Sequence, residues 1–148
     1  MEYQKILDDL APCGLSCRKC FAHSQGDIAT LSTQLQERLG SFDIYAERFS
    51  AFLPAFEDYP PFKELLAYLA QGHCAGCREG TCLWPDCGVA TCHGDKGVDF
   101  CFQCDEFPCA KTNFDPHLER RYLQMQNRMK EIGVEAYYAA TKDQPRYG

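Results

Sequence analysis

Eight cysteines fall within the thirty-six residues from Cys74 to Cys109: Cys74, Cys77, Cys82, Cys87, Cys92, Cys101, Cys104 and Cys109. A stretch with so many thiols and so few aliphatic side chains cannot build an ordinary apolar core. Its glycines, among them Gly76, Gly80, Gly88, Gly94 and Gly97, leave little helical or strand periodicity. The intervals Cys74 to Cys77 and Cys101 to Cys104 are Cys-x2-Cys. At that spacing one tight turn aims two sulfurs at a single metal ion, at roughly 2.3 Å each for zinc. Metal is therefore expected to replace the missing core, each structural zinc supplying apparent folding free energy on the order of 10–16 kcal/mol.

The remaining composition bears on whether those thiols are free. The chain has 11 cysteines, an odd number that forbids complete intramolecular pairing. It opens Met1-Glu2-Tyr3-Gln4-Lys5 with no basic-then-apolar leader, so a cytoplasmic, reducing environment is expected, where thiolate–metal bonds persist and disulfides generally do not. No apolar run approaches the ~18 residues of a membrane span. The formal charge is −6, and each zinc held by four thiolates would add about two negative units. That balance disfavours nucleic acid as partner despite the basic Lys111, Arg120, Arg121, Arg128 and Lys130. An unidentified protein or small molecule is the expected partner class.

The rest of the chain is helical in pattern. Ile6, Leu7 and Leu10 mark a short amphipathic piece within residues 1–12. Ile28, Leu31, Leu35 and Leu39 predict a helix over 28–39 with Asp27 as its cap. A second run from Phe42 stops before Pro54, and a third opens at Pro60-Pro61 and ends at Gly72. Asp115 and Pro116 then start a helix whose stripe of Leu118, Tyr122, Met125, Met129 and Ile132 ends at Gly133, followed by a short one over 134–140. Short two-stranded ribbons are expected near Val98–Cys101. The expected fold is mainly α: one domain over 1–148, with four to five helices in 1–72 and 114–148. These pack with an irregular cysteine-rich zinc-binding lobe over 73–113 that contains little β structure.

A second cysteine group, Cys13, Cys17 and Cys20, has Cys-x3-Cys-x2-Cys spacing with His23 close behind. The simplest partition of the main cluster is sequential: Cys74, Cys77, Cys82 and Cys87 around one ion, Cys92, Cys101, Cys104 and Cys109 around another. An interleaved arrangement, in which Cys82, Cys87 or Cys92 changes site or reaches the N-terminal group, is nearly as economical. The trio fits a third zinc completed by His23 or by a cysteine of the main cluster. It also fits a reactive thiol near Arg18 and Lys19. Its spacing is shared with radical S-adenosylmethionine enzymes, but Lys19 stands where those have an aromatic, and the chain lacks repeated strand–helix units. Soft thiolates serve iron–sulfur clusters as well as zinc. His73, His93 and His117 read as loop or surface residues. Asp86, Asp95, Asp99, Asp105 and Glu106 read as solvated or supporting groups, since an all-cysteine zinc keeps no open position for a water.

Cys13-Gly14-Leu15-x-Cys17-x-x-Cys20, Cys74-x-Gly76-Cys77 and Cys101-x-x-Cys104-x-Glu106-Phe107-Pro108-Cys109, with a helix closing on Ile132-Gly133-Val134-Glu135, resemble domain-of-unknown-function family 3795. The resemblance implies a small cysteine-rich prokaryotic protein that binds zinc and implies no reaction. Phe21 departs from the proline that often follows the third N-terminal cysteine in that family. Together these features point to a zinc-binding protein with mainly structural metals, about two ions and with room for a third, acting as a binding or scaffold module. The alternatives are an iron–sulfur or thiol-based redox protein, and a zinc-dependent enzyme with an open site at Cys13, Cys17 and Cys20.

Overall fold

The computed structural model describes residues 2–80 and 82–148. Seven α-helices run α1 (Glu2–Asp9), α2 (Asp27–Leu39), α3 (Phe42–Ser50), α4 (Tyr59–Gln71), α5 (Val89–Lys96), α6 (Pro116–Ile132) and α7 (Val134–Thr141), with 3-10 turns at Pro54–Asp58, Cys77–Glu79 and Cys101–Gln103. The mainly helical class stands, but the expected four to five helices become seven among the described residues. The addition that sequence patterning could not supply is α5. It carries cysteine, histidine and glycine where an apolar stripe would be, so only Val89 and Ala90 of it are buried. The ribbon expected near Val98–Cys101 is also replaced, by the 3-10 turn at Cys101–Gln103. Pairing of strand type is limited, among the described residues, to the isolated bridges Leu10↔Ser16 and His23↔Cys74.

Two of the expected boundaries shift for local reasons. Gly26 is the N-cap of α2, so Asp27 is its first helical residue and uses its carboxylate to pair with Arg18 at 3.2 Å. The second run ends at Ser50, because Pro54 opens a 3-10 turn. At α6 the expected chemistry is present: the Asp115 carboxylate accepts from the Leu118 N–H at 2.9 Å with Pro116 at the first helical position.

The helices divide their packing. α2 lies along α4, and Phe42 of α3 meets Phe56 and Tyr59 at ring distances of 5.6 and 5.2 Å. Yet Leu31, Ile44, Tyr45, Phe52 and Leu65 on this arm are exposed, so its apolar residues are only partly a core. The main core lies elsewhere. Ile6 and Leu10 of α1 pack with Phe100, with Met129 of α6 and with Val134 and Tyr137 of α7. Beside it Ala11, Cys13, Cys17, Val89 and Tyr122 form a second buried cluster. Gln126, fully buried between the two, donates to the Pro12 carbonyl at 3.0 Å and accepts from the Phe102 N–H at 2.8 Å. One α6 side chain thereby holds the approach to the first cysteine group against the loop that carries Cys101 and Cys104.

Candidate metal centre

The N-terminal cysteines are set by the Cys-Gly-Leu turn. Gly14 has φ +99°, a value that disfavours any L side chain, and a Cβ there would lie 3.0 Å from the Met129 Cε and 3.1 Å from the Met125 Cβ. The turn is thus pressed onto α6 with Cys13 and Cys17 facing inward, 7% and 6% exposed. Burial pushes the Cys13 thiol up to about 12. Cys17 goes the other way, down to about 6, because Cys77 hydrogen-bonds to it, with Arg146 and Arg78 adding positive potential. Cys77 is raised by that same bond and by burial. Cys87, raised by burial, lies near Cys13 and Cys82.

Arg78 follows Cys77 in the 3-10 turn. Its Nε donates to the Leu7 and Leu10 carbonyls at 2.9 and 3.2 Å, and its guanidinium sits 5.0 Å over the Phe100 ring. One of its terminal nitrogens, Nη2, is buried without a hydrogen-bond partner among the described residues. Sequence reasoning assigned Arg78 no part. A lone arginine beside a cysteine carries no signal until the fold shows it entering the core.

The second gathering is more regular. Cys92 of α5, Cys101 and Cys104 of the following turn, and Cys109 after the cis Phe107–Pro108 bond all line one cavity of about 30 Å³. Burial pushes the Cys101 thiol up to about 11. Tyr122 closes one side of the cavity with its ring edge-on to Phe107 and Phe114 at 6.0 and 5.5 Å. Its hydroxyl is buried, reaches no oxygen or nitrogen partner among the described residues, and lies against Cys101; burial and that sulfur raise its pKa. Tyr122 belonged to the apolar stripe of its helix on sequence grounds. The clue available there was that a tyrosine inside such a stripe must find its hydroxyl a partner. At the rim Glu106 bridges Lys111 and Lys96 at 2.6 and 3.2 Å.

Three sulfurs accept backbone N–H groups two residues ahead: Cys74 from Gly76 at 3.3 Å, Cys82 from Trp84 at 3.4 Å and Cys104 from Glu106 at 3.4 Å. Cys20, half-buried, lies 3.9 Å from the Tyr147 hydroxyl, and its backbone N–H donates to the Cys17 carbonyl at 3.0 Å. His23 accepts from the Gln25 N–H through Nδ1, leaving Nε2 toward Gly76. His73 stacks on Tyr68 at 4.2 Å, His93 lines the cavity of Cys92, and His117 is exposed. Asp99 accepts from the Tyr3 hydroxyl at 3.0 Å, while Asp86, Asp95 and Asp105 are exposed. Among the described residues, no three His, Cys, Asp or Glu side chains are disposed as they stand to ligate a metal.

Fold and site define a mainly helical, cysteine-rich protein. Residues 9–114 match the model of the protein family of unknown function DUF3795, over two thirds of the chain, and the chain belongs to that family. The match leaves α6 and α7 outside it, and with them Tyr122 and Gln126. The chain shows no significant match to any curated protein or to any solved structure. Among the described residues no helix is long and apolar enough to cross a membrane.

Proposed function

We propose that this chain is a zinc-binding protein whose metals are structural and that it acts as a binding or scaffold module. Cys92, Cys101, Cys104 and Cys109 would hold one ion, with Cys13, Cys17, Cys77 and Cys87 as the interleaved ligands of a second and Cys82 within reach. A zinc at either place would cross-link chain segments that have little apolar surface to hold them together, without opening a reactive position.

One observation carries the reading: Cys92, Cys101, Cys104 and Cys109 line a single small cavity together with Tyr122, whose buried hydroxyl lies against the Cys101 sulfur. A buried O–H donor facing only sulfur is poorly satisfied by a neutral thiol and well satisfied by a thiolate, the form a metal enforces. A cavity of about 30 Å³ exceeds the volume needed for one small ion or water.

Elemental analysis of the purified chain tests this. About two zinc ions per chain are expected, or three if Cys20, Cys74 and His23 complete another site. A brown protein with iron and sulfide, absorbing at roughly 400 nm, would replace zinc by an iron–sulfur cluster. A metal-free, fully folded protein would overturn the reading.

A second reading attaches to the hydrogen-bonded pair Cys17 and Cys77. Two adjacent thiols can lose two electrons and two protons to a thiol-specific oxidant such as a small disulfide and close as a disulfide of their own. Native thiol counts before and after a mild disulfide oxidant separate the two: metal-held sulfurs resist it, whereas a redox pair loses two thiols.

A further inference from the structure

We propose that a cleft outside the cysteine groups binds a small organic anion bearing a phosphate or carboxylate group. Its walls are the Gly14–Lys19 loop, α6 around Arg121 and Met125, and the segment 141–146 that follows α7, and it encloses about 560 Å³. That volume suits a metabolite-sized ligand.

The charge of the cleft opposes that of the chain. Lys5, Arg18, Lys19, Arg121, Lys142 and Arg146 line it, against the carboxylates Asp9, Asp27 and Asp143, a surplus of three positive charges in a chain of formal charge −6. The pairing inside it sharpens the contrast. Asp27 cancels Arg18 at 3.2 Å, and Asp9 accepts from the Tyr138 hydroxyl. Lys19, Arg121 and Arg146 are half-buried and, among the described residues, donate only to neutral carbonyls: Lys19 to those of Thr141 and Gln144, Arg121 to that of Arg146, Arg146 to that of Ser16.

A carbonyl satisfies an N–H group but leaves the charge uncancelled, and a half-buried cation without a counter-charge favours any anion that can reach it. Arg146 also faces Cys13 and Cys17, so its field is shared with them. Arg121 has no such second duty, and its guanidinium fork matches the geometry of a phosphate or carboxylate. Leu15, Met125 and Tyr137 supply an apolar wall, which favours an organic anion over a bare inorganic one. Half of the cleft comes from α6 and the C-terminal segment, beyond the residues that match the family. The cleft is lined by no cysteine, although its Gly14–Lys19 wall belongs to the turn that carries Cys17, so the chain is tested with its metals in place.

Isothermal titration of the full chain, purified with its metals and at low ionic strength, uses phenyl phosphate and succinate as probes. One saturable site is expected for at least one probe, and the tighter probe identifies phosphate or carboxylate as the recognised group. Added salt should weaken it. Arg121→Gln combined with Lys142→Gln should lower the affinity about tenfold or more, while Lys63→Gln on α4 leaves it unchanged. Should the first variant lose its helical signal or its metal, Lys5→Gln with Lys142→Gln replaces it, two exposed side chains, with an expected loss of about threefold. Neither probe saturating, or a folded variant binding as tightly as the parent, overturns the proposal.

Discussion

The buried hydroxyl of Tyr122 lies against the Cys101 thiol and reaches no oxygen or nitrogen acceptor among the described residues. An unsatisfied buried donor destabilises the chain unless the sulfur carries negative charge, so the effect of removing it depends on metal content. Tyr122→Phe should leave the metal-free protein as stable as the parent or more so, and should lower the zinc affinity of the cavity roughly 10–100-fold. Thermal melts of the two forms, with zinc release to a chromogenic chelator, measure both effects. Equal release rates would remove Tyr122 from the metal environment.

Gln126 has the opposite character, since every bond it makes is between neutral groups. Gln126→Leu strands the buried Pro12 carbonyl and the part-buried Phe102 N–H, at roughly 1–3 kcal/mol for the first and less for the second. A large fall in melting temperature is expected with zinc and without it. This metal-independent loss distinguishes a structural tie from a supporting contact to a ligand.

What could be read from the chain before its fold divides along physical lines. The helices α2, α4 and α6 were legible because apolar residues recur at helical spacing and end at glycine, a local property. Helix α5 was not, because thiols and a histidine replace its apolar stripe. The grouping of Cys92, Cys101, Cys104 and Cys109 around one cavity follows from short loops, which spacing reports. The meeting of Cys17 with Cys77 depends on the His23↔Cys74 bridge, where Ala22 accepts from the N–H groups of His73 and Cys74 at 2.7 and 2.9 Å. That closure spans some fifty residues and leaves no mark in spacing. The same holds for Arg78 and Tyr122, whose buried polar ends acquire meaning only once their neighbours are known.

Gly88 shows how a close approach can hide in an ordinary conformation. Its φ of −70° suits any residue, yet a Cβ would lie 1.8 Å from the Lys111 carbonyl oxygen, and its own N–H donates to Thr112 at 3.1 Å. Gly88→Ala must therefore separate the start of α5 from residues 111–112, at roughly 3 kcal/mol or more. Gly94→Ala, with open space around it, is the matched control and should be neutral or slightly stabilising. Denaturant melts of the pair should differ by that margin.

The Tyr138 hydroxyl donates to Asp9, and that bond, followed by burial, pushes its pKa up to about 12 from the ordinary value of about 10. The folded value exceeds the unfolded one, so the bond's contribution is complete below about pH 10 and disappears as pH rises toward about 12. Tyr138→Phe should cost roughly 1 kcal/mol near neutrality. The gap to the parent should narrow over that alkaline interval, as read by urea midpoints across pH. A gap that stays constant to about pH 12 would show that the hydroxyl does not titrate as the bond requires.

Metal removal should act unevenly along the chain. The arm of α2, α3 and α4 has its own contacts, α2 lying along α4 and Phe42 set among Phe49, Phe56 and Tyr59, and none of its residues 27–71 is a cysteine. Residues 82–109 bury little beyond Val89, Ala90 and Phe100. Hydrogen exchange after treatment with a strong chelator should therefore accelerate by orders of magnitude across 82–109 and in the Cys13–Cys20 turn, where local stability rests on the ion. Residues 27–71 should keep their protection. Uniform acceleration along the whole chain would mean that the arm depends on the metals too, and unchanged protection at Cys92–Cys109 would show that thiols, one tyrosine and a short helix hold this region without an ion.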